Sequence, residues 1–78
     1  MLVSMQELLK PTREHGFAIG AFNVADSCFI RAVVEEAEAT HTPAIISIHP
    51  SEHDFVGDSF FSYVRDITLR SRVPFTLH

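Results

Sequence analysis

Polar side chains that could contact a ligand stand near the carboxyl ends of three predicted strands. These residues are Asn23, His49 and His78. Because parallel strands place their carboxyl ends on one side of a sheet, we expect the three residues to line one rim. An asparagine amide both donates and accepts hydrogen bonds, and a histidine ring can donate, accept or bind a metal ion. A structural hydrogen bond is at least as common a role for a lone polar residue at a strand end.

The segment from His49 to His53 matches H-x-x-E-H, the pattern of the inverted zinc proteases. That chemistry requires both histidines on one face of a helix and a glutamate that activates water. We predict instead that His49 ends a strand and that a polar loop follows from Pro50 to about Gly57. The match is therefore interpreted as a coincidence, and a small metallohydrolase built on His49 and His53 is the alternative.

The only cysteine, Cys28, lies at the start of a predicted helix, where a thiolate is favoured. No histidine lies near it in the sequence, so a buried structural cysteine is the preferred interpretation. A single cysteine excludes an internal disulfide and is typical of a reducing cytoplasm, which is the predicted location. No secretory signal is recognisable at Met1.

Composition limits the classes of partner. The chain has 78 residues, seven of them phenylalanine, and 46% of its residues are hydrophobic, which indicates a packed core. The formal net charge is −4 and the six lysines and arginines are scattered, so we expect neither a nucleic-acid nor an anionic-membrane surface. No stretch approaches the roughly 20 apolar residues that a membrane-spanning helix needs.

Helical and strand signals alternate along the chain. Pro43 and Pro74 stand 31 residues apart, and each precedes an apolar strand that follows a helix. This spacing predicts right-handed parallel crossovers, as in a (β/α)8 barrel or an open doubly wound sheet. The predicted elements are a helix from Ser4 to about Lys10 with a kinked extension to His15, a strand Phe17–Val24, a helix Ser27–Thr40, a strand Ala44–His49, a helix near Asp58–Ser71 and a strand Val73–His78.

Two predicted helices carry apolar stripes that should face the sheet. In the first, Phe29, Val33 and Ala37 recur at four-residue spacing and are joined by Ile30 and Val34. The acidic residues of the same helix are expected on its solvent side; they are Glu35, Glu36 and Glu38. In the second helix the stripe consists of Phe60, Phe61, Val64 and Ile67.

Two segments resemble a known family when they are taken together. Residues 16–23 read G-F-A-I-G-A-F-N, and residues 73–78 read V-P-F-T-L-H. The first is close to G-[YF]-A-[VI]-G-A-F-N, which occurs near the N-terminus of class II, zinc-dependent ketose-bisphosphate aldolases. The chain resembles the N-terminal part of these enzymes over nearly its whole length.

This resemblance implies a TIM barrel, a zinc ion and reversible aldol cleavage of a phosphorylated ketose to dihydroxyacetone phosphate and an aldehyde. The family pattern continues from the position of His78 as L-D-H-G, with the Asp as catalytic acid or base and the His as a zinc ligand. We therefore expect no catalytic residue and no metal ligand in this chain. Asn23 matches an asparagine that lies near the substrate in the family, and Ser47 and His49 are the other substrate-binding candidates.

We thus predict an α/β chain in which residues 1–78 form an incomplete aldolase-type TIM barrel. It would contain an initial helix, three parallel strands and two connecting helices, of the eight strands that a barrel needs. The expected function is that of an N-terminal fragment of a class II aldolase, inactive alone. The alternative is an interaction module that docks on a full-length aldolase or self-assembles as a homo-oligomer, because its strand edges are open.

Overall fold

Three parallel strands form one sheet whose strand order follows the chain. The computed structural model describes all 78 residues. Their elements are α1 (Met5–His15), β1 (Ala21–Asn23), α2 (Ser27–Thr40), β2 (Ala44–Ser47), α3 (Pro50–Val56), α4 (Asp58–Arg70) and β3 (Phe75–Leu77). The sheet order is β1-β2-β3, and both neighbouring pairs are parallel. The predicted α/β class with parallel crossovers is confirmed.

One face of the sheet forms the core with α2 and α4. Ile46 and Phe75 lie on this face, and their side chains are 1% and 0% exposed. They pack in one cluster with Ile30 and Val34 of α2 and Val64 of α4. Because successive side chains of a strand point to opposite faces, the neighbouring strand residues project from the other side of the sheet.

The helices bury narrower stripes than we predicted. In α2 the buried residues are Ile30, Val34 and Ala37, whereas Phe29 is 57% exposed because it lies about 100° away from them around the helix. Glu38 is half-buried rather than solvated, since its carboxylate accepts a hydrogen bond from Ser71 Oγ at 3.1 Å.

In α4 the two fully buried positions are Val64 and Thr68, and Phe61 stays 41% exposed. Burial of Thr68 is tolerated because its hydroxyl donates to the Val64 carbonyl at 2.8 Å. Helix α4 therefore contributes less of its predicted phenylalanine stripe to the core.

Helix α1 continues through Pro11 to His15, so the predicted end of the regular helix at about Lys10 is wrong and the chain stays helical over the predicted extension. The missing N–H of Pro11 removes one helical hydrogen bond without ending the helix. A capping box joins Ser4 and Glu7 at its start, and Gly16 ends it with φ of 69°. Ahead of this helix, the segment Met1–Val3 lies along the outer edge of β3. Its pairing is defined by hydrogen bonds from Phe75 N to Met1 O at 2.7 Å and from Val3 N to Phe75 O at 2.9 Å.

Two further local predictions are wrong. The segment from Pro50 contains the helix α3, not a loop, because proline is pre-organised for the first helical position and His49 caps the helix. The first strand is regular only over Ala21–Asn23 and not over Phe17–Val24, and its three residues are exposed because β1 lies at the edge of the sheet. No helix has the length and apolar character needed to cross a bilayer.

Candidate functional site

Three polar residues align in one row across the carboxyl ends of the strands. Asn23 of β1 pairs in register with Ser47 of β2. The next pair, Ile46 with Leu77, brings His78 to the level of Ser47, and His78 N donates to the Ile46 carbonyl at 2.7 Å. Paired residues of parallel strands project from the same face, so this polar row lies opposite the hydrophobic core.

The members of the polar row are accessible. Asn23 and His78 are exposed and Ser47 is half-buried. None of the side-chain hydrogen bonds within the chain involves Asn23 or Ser47. An amide and a hydroxyl side by side offer donors and acceptors to a polyhydroxylated or phosphorylated molecule above the sheet.

His49 lies outside the polar row. It follows Ser47 by two residues, but the chain turns there and His49 becomes the N-cap of α3. Its Nδ1 accepts from Ser51 N at 3.1 Å and lies 2.8 Å from Ser51 Oγ. The structure thus brings together Asn23, Ser47 and His78, and it gives His49 a capping role.

His53, the second histidine of the H-x-x-E-H match, also has its own partner. Its Nε2 lies 2.8 Å from the Asp58 carboxylate, and its ring meets Phe61 edge-on at 6.4 Å between ring centres. No three or more His, Cys, Asp or Glu side chains are grouped so as to hold a metal ion. The residues present therefore do not form a zinc site, although His49 and His53 flank a helical turn.

Ser47 lies in the middle of the polar row and His78 belongs to it because of the register in which the three strands pair. Strand geometry supplies the signal: Ile46 points to the core, so its neighbours in β2, Ile45 and Ser47, point away from it. Cys28 is exposed at the start of α2, contrary to the buried role that was expected, and it lies apart from the polar row.

The known proteins that this chain resembles are aldolases. The family model for class-II fructose-bisphosphate aldolases matches residues 3–78. A fructose-bisphosphate aldolase of Thermus caldophilus is 31% identical over 78 residues, which cover 100% of this chain and 26% of that protein. A 6-phospho-5-dehydro-2-deoxy-D-gluconate aldolase of Bacillus licheniformis is 38% identical over 55 residues, covering 70% of this chain and 19% of that protein.

A solved structure matches the fold itself. A crystal structure from Coccidioides immitis, described as a fructose-1,6-biphosphate aldolase, superposes with a TM-score of 0.89 at 30% identity. The superposition covers 95% of this chain and 26% of that protein, so the three strands match a fragment of a TIM barrel. The chain spans about a quarter, or less, of the curated relatives it matches. It belongs to the class II fructose-bisphosphate aldolase family and corresponds to an N-terminal part of the longer members.

Proposed function

We propose that this chain supplies part of the substrate site of a class II aldolase that reversibly cleaves a phosphorylated ketose to dihydroxyacetone phosphate and an aldehyde. The polar row is the observation that carries the proposal. It lies at the carboxyl ends of parallel strands, the end of a TIM barrel at which active sites are built. The names of the two sequence relatives describe aldolases of phosphorylated sugars or sugar acids, which supports this substrate class.

Asn23 is proposed to orient the substrate through its amide, and Ser47 to contact the same molecule through its hydroxyl. Both residues stand on the face away from the core, and both are free of side-chain hydrogen bonds within the chain. His49 remains the weaker candidate, because its Nδ1 already accepts from Ser51 N. A substrate contact from His49 would have to use Nε2.

The 78 residues alone are proposed to be inactive. Class II aldolases use zinc, and no three possible ligands are grouped in this chain. The family pattern places its catalytic Asp and a zinc-binding His directly after the position that His78 occupies. Activity would then require further units of the barrel. A cytoplasmic location is also proposed, and the single cysteine supports it.

The test compares two proteins in a zinc-supplemented retro-aldol assay with fructose 1,6-bisphosphate. One is the 78-residue chain, and the other is a chimera in which these residues replace the matched segment of the Thermus caldophilus aldolase. The chimera is expected to release triose phosphate, and the chain alone is expected to release none. Turnover by the chain alone would overturn its proposed inactivity, and a folded but inactive chimera would overturn the proposed role in the site.

A second candidate function is that of an interaction module that docks on a full-length aldolase or associates with itself. The open edge of β1 and its residue Phe22, which is 46% exposed, favour this function. Light scattering and co-purification with the Thermus caldophilus aldolase test it. A monomer that binds no aldolase would exclude it.

A further inference from the structure

The amino group of Met1 is enclosed by main-chain oxygens. It donates to the Thr68 carbonyl at 2.7 Å and to the Val73 carbonyl at 3.1 Å, and it also donates to the carbonyl of Ser71. These three oxygens belong to the last turn of α4 and to the turn that leads to β3. We call them the oxygen cage. A primary ammonium has three hydrogens, so each oxygen of the cage can receive one.

The surroundings of the oxygen cage suit a cation. The last carbonyls of a helix have no partner inside the helix, and the helix dipole gives this end a partial negative charge. Thr68 lies in the last turn of α4, which ends at Arg70. Glu38 adds a full negative charge, because its carboxylate accepts from Ser71 Oγ and attracts the Met1 amino group. Both features favour a positively charged occupant.

The oxygen cage distinguishes a free amino group from an acylated one by the number of hydrogens on the nitrogen. Partial burial lowers the pKa of the Met1 amino group, and the Glu38 carboxylate opposes this shift. Even an unprotonated amine keeps two hydrogens for the cage, whereas an acylated nitrogen has one hydrogen and no charge. An acyl group also brings its own carbonyl oxygen towards three others. The preference for a free amine therefore holds in either protonation state.

The anchored amino group fixes the segment Met1–Val3 beside β3. Phe75 N donates to Met1 O and Val3 N donates to Phe75 O, so these residues cover the start of the strand edge. Met1 is nevertheless 45% exposed, so burial of its side chain contributes little to its position. The amino group and the main-chain hydrogen bonds therefore hold this residue in place. Their loss would leave the start of β3 with unpaired main-chain groups.

We propose that the oxygen cage is a binding site for a primary ammonium, that the α-amine of Met1 is its occupant, and that an acyl group on this nitrogen prevents the segment Met1–Val3 from docking. Met1 is then a modification site that controls whether the start of the β3 edge is covered. A formyl group is the smallest acyl group and the most stringent case. Its removal uses water, which cleaves the C–N bond, releases formate and returns a hydrogen to the nitrogen. This inference does not depend on the proposed function.

The test compares chains that carry one formyl group on different amines. Lys10 is the only lysine, and it is exposed on α1, so formylation of its Nζ is a matched control that removes the same charge. Each chain is assembled by ligation at Cys28 from a synthetic segment 1–27 and an isotope-labelled segment 28–78. The set comprises the unmodified chain, the chains formylated at Met1 or at Lys10, and a chain with Gly-Ser added ahead of Met1. The extended chain keeps a terminal ammonium but leaves one hydrogen on the Met1 nitrogen.

Amide hydrogen exchange followed by NMR gives the main readout. Phe75 N donates to Met1 O at 2.7 Å, whereas Ile45 N donates to Gly20 O at 2.9 Å. Relative to Ile45, the Phe75 amide should exchange about tenfold or more faster in the Met1-formylated and extended chains than in the unmodified chain, because the oxygen cage loses its charge-assisted hydrogen bonds. The chain formylated at Lys10 should match the unmodified chain.

The outcomes separate the oxygen cage from a general effect of formylation. A lower urea midpoint for the chain formylated at Met1 than for the chain formylated at Lys10, or failure of only the former to fold, supports the inference. Equal Phe75 exchange in all four chains, or equal losses in both formylated chains, would overturn it. So would unchanged Phe75 exchange in the extended chain, because the loss would then follow the missing charge and not the contacts of the amine with the cage.

Discussion

Removal of one buried phenyl ring should remove a large part of the stability of this chain, whereas removal of an exposed one should have little effect. Phe75 lies in the centre of the core and is 0% exposed, and Phe55 on α3 is 89% exposed. Phe75→Ala and Phe55→Ala delete the same atoms from these two environments. The comparison therefore separates the contribution of the β3–α2–α4 core from the general effect of losing a phenyl ring.

The expected magnitudes follow from burial. A buried phenylalanine truncated to alanine lowers the free energy of unfolding by about 3–5 kcal/mol, and an exposed substitution changes it by about 0.5 kcal/mol or less. At roughly 0.05–0.15 kcal/mol per residue, a domain of 78 residues has only about 4–12 kcal/mol in total. Phe75→Ala should therefore remove a large part of the stability. Ile46→Val provides a milder core change of about 0.5–1.5 kcal/mol.

Urea unfolding followed by circular dichroism at 222 nm gives the comparison, because the helices supply the signal and no tryptophan is present. With a slope of about 1 kcal/mol per molar urea, each kcal/mol lowers the midpoint by about 1 M. Ile46→Val should shift the midpoint measurably, and Phe55→Ala should leave it in place. Equal losses in Phe55→Ala and Phe75→Ala would refute the assigned core.

Three further predictions concern a cap, a polar contact and metal binding. Asp26→Ala should lower the free energy of unfolding by about 0.5–2 kcal/mol, because the Asp26 carboxylate accepts a hydrogen bond from Phe29 N at 2.9 Å at the start of α2. Asp54→Ala at an exposed position is the control, and equal losses of stability in urea titrations of the two variants would exclude the cap. Ser71→Ala should lower the free energy of unfolding by about 0.5–1.5 kcal/mol, since Ser71 is 7% exposed and its hydroxyl donates a hydrogen bond to the Glu38 carboxylate. Ser62→Ala at an exposed position is the control, and an equally unchanged urea midpoint in both variants would show that this hydrogen bond does not stabilise the chain. Equilibrium dialysis should find no stoichiometric zinc on the chain, and zinc that is lost in both His49→Ala and His53→Ala would restore the metallohydrolase alternative.

The order of helices and parallel strands could be predicted because local signals agree with the fold. Pro43 and Pro74 mark the starts of two apolar strands, and Asp26 marks the start of α2. Helix α3 was missed because it begins with a run of polar residues and buries no apolar stripe, although proline after His49 is a known helix-start signal. Phe29 was predicted to lie in the core because its hydrophobicity does not show whether it lies at the centre of the apolar stripe of α2 or at the margin, where it remains exposed.

The candidate site could be predicted only in part. Asn23 and His78 were identified from their places at strand ends, but the alignment of Ser47 between them depends on register. Register is set by the packing of whole strands against α2 and α4, and the consecutive apolar residues Ala44, Ile45 and Ile46 do not show by themselves which of them face these helices. His49 lies outside the polar row because its ring caps α3, where Nδ1 accepts a hydrogen bond from Ser51 N.

The proposed contact between the polar row and the substrate of a class II aldolase can be measured in the chimera. The quantity is kcat/KM for fructose 1,6-bisphosphate, determined for Asn23→Ala and Ser47→Ala with Phe55→Ala as the control. Loss of a polar contact to the reacting substrate should lower kcat/KM by about tenfold or more in Asn23→Ala, with a smaller loss in Ser47→Ala and no change in Phe55→Ala. An Asn23→Ala chimera as active as the Phe55→Ala control would contradict the proposed contact.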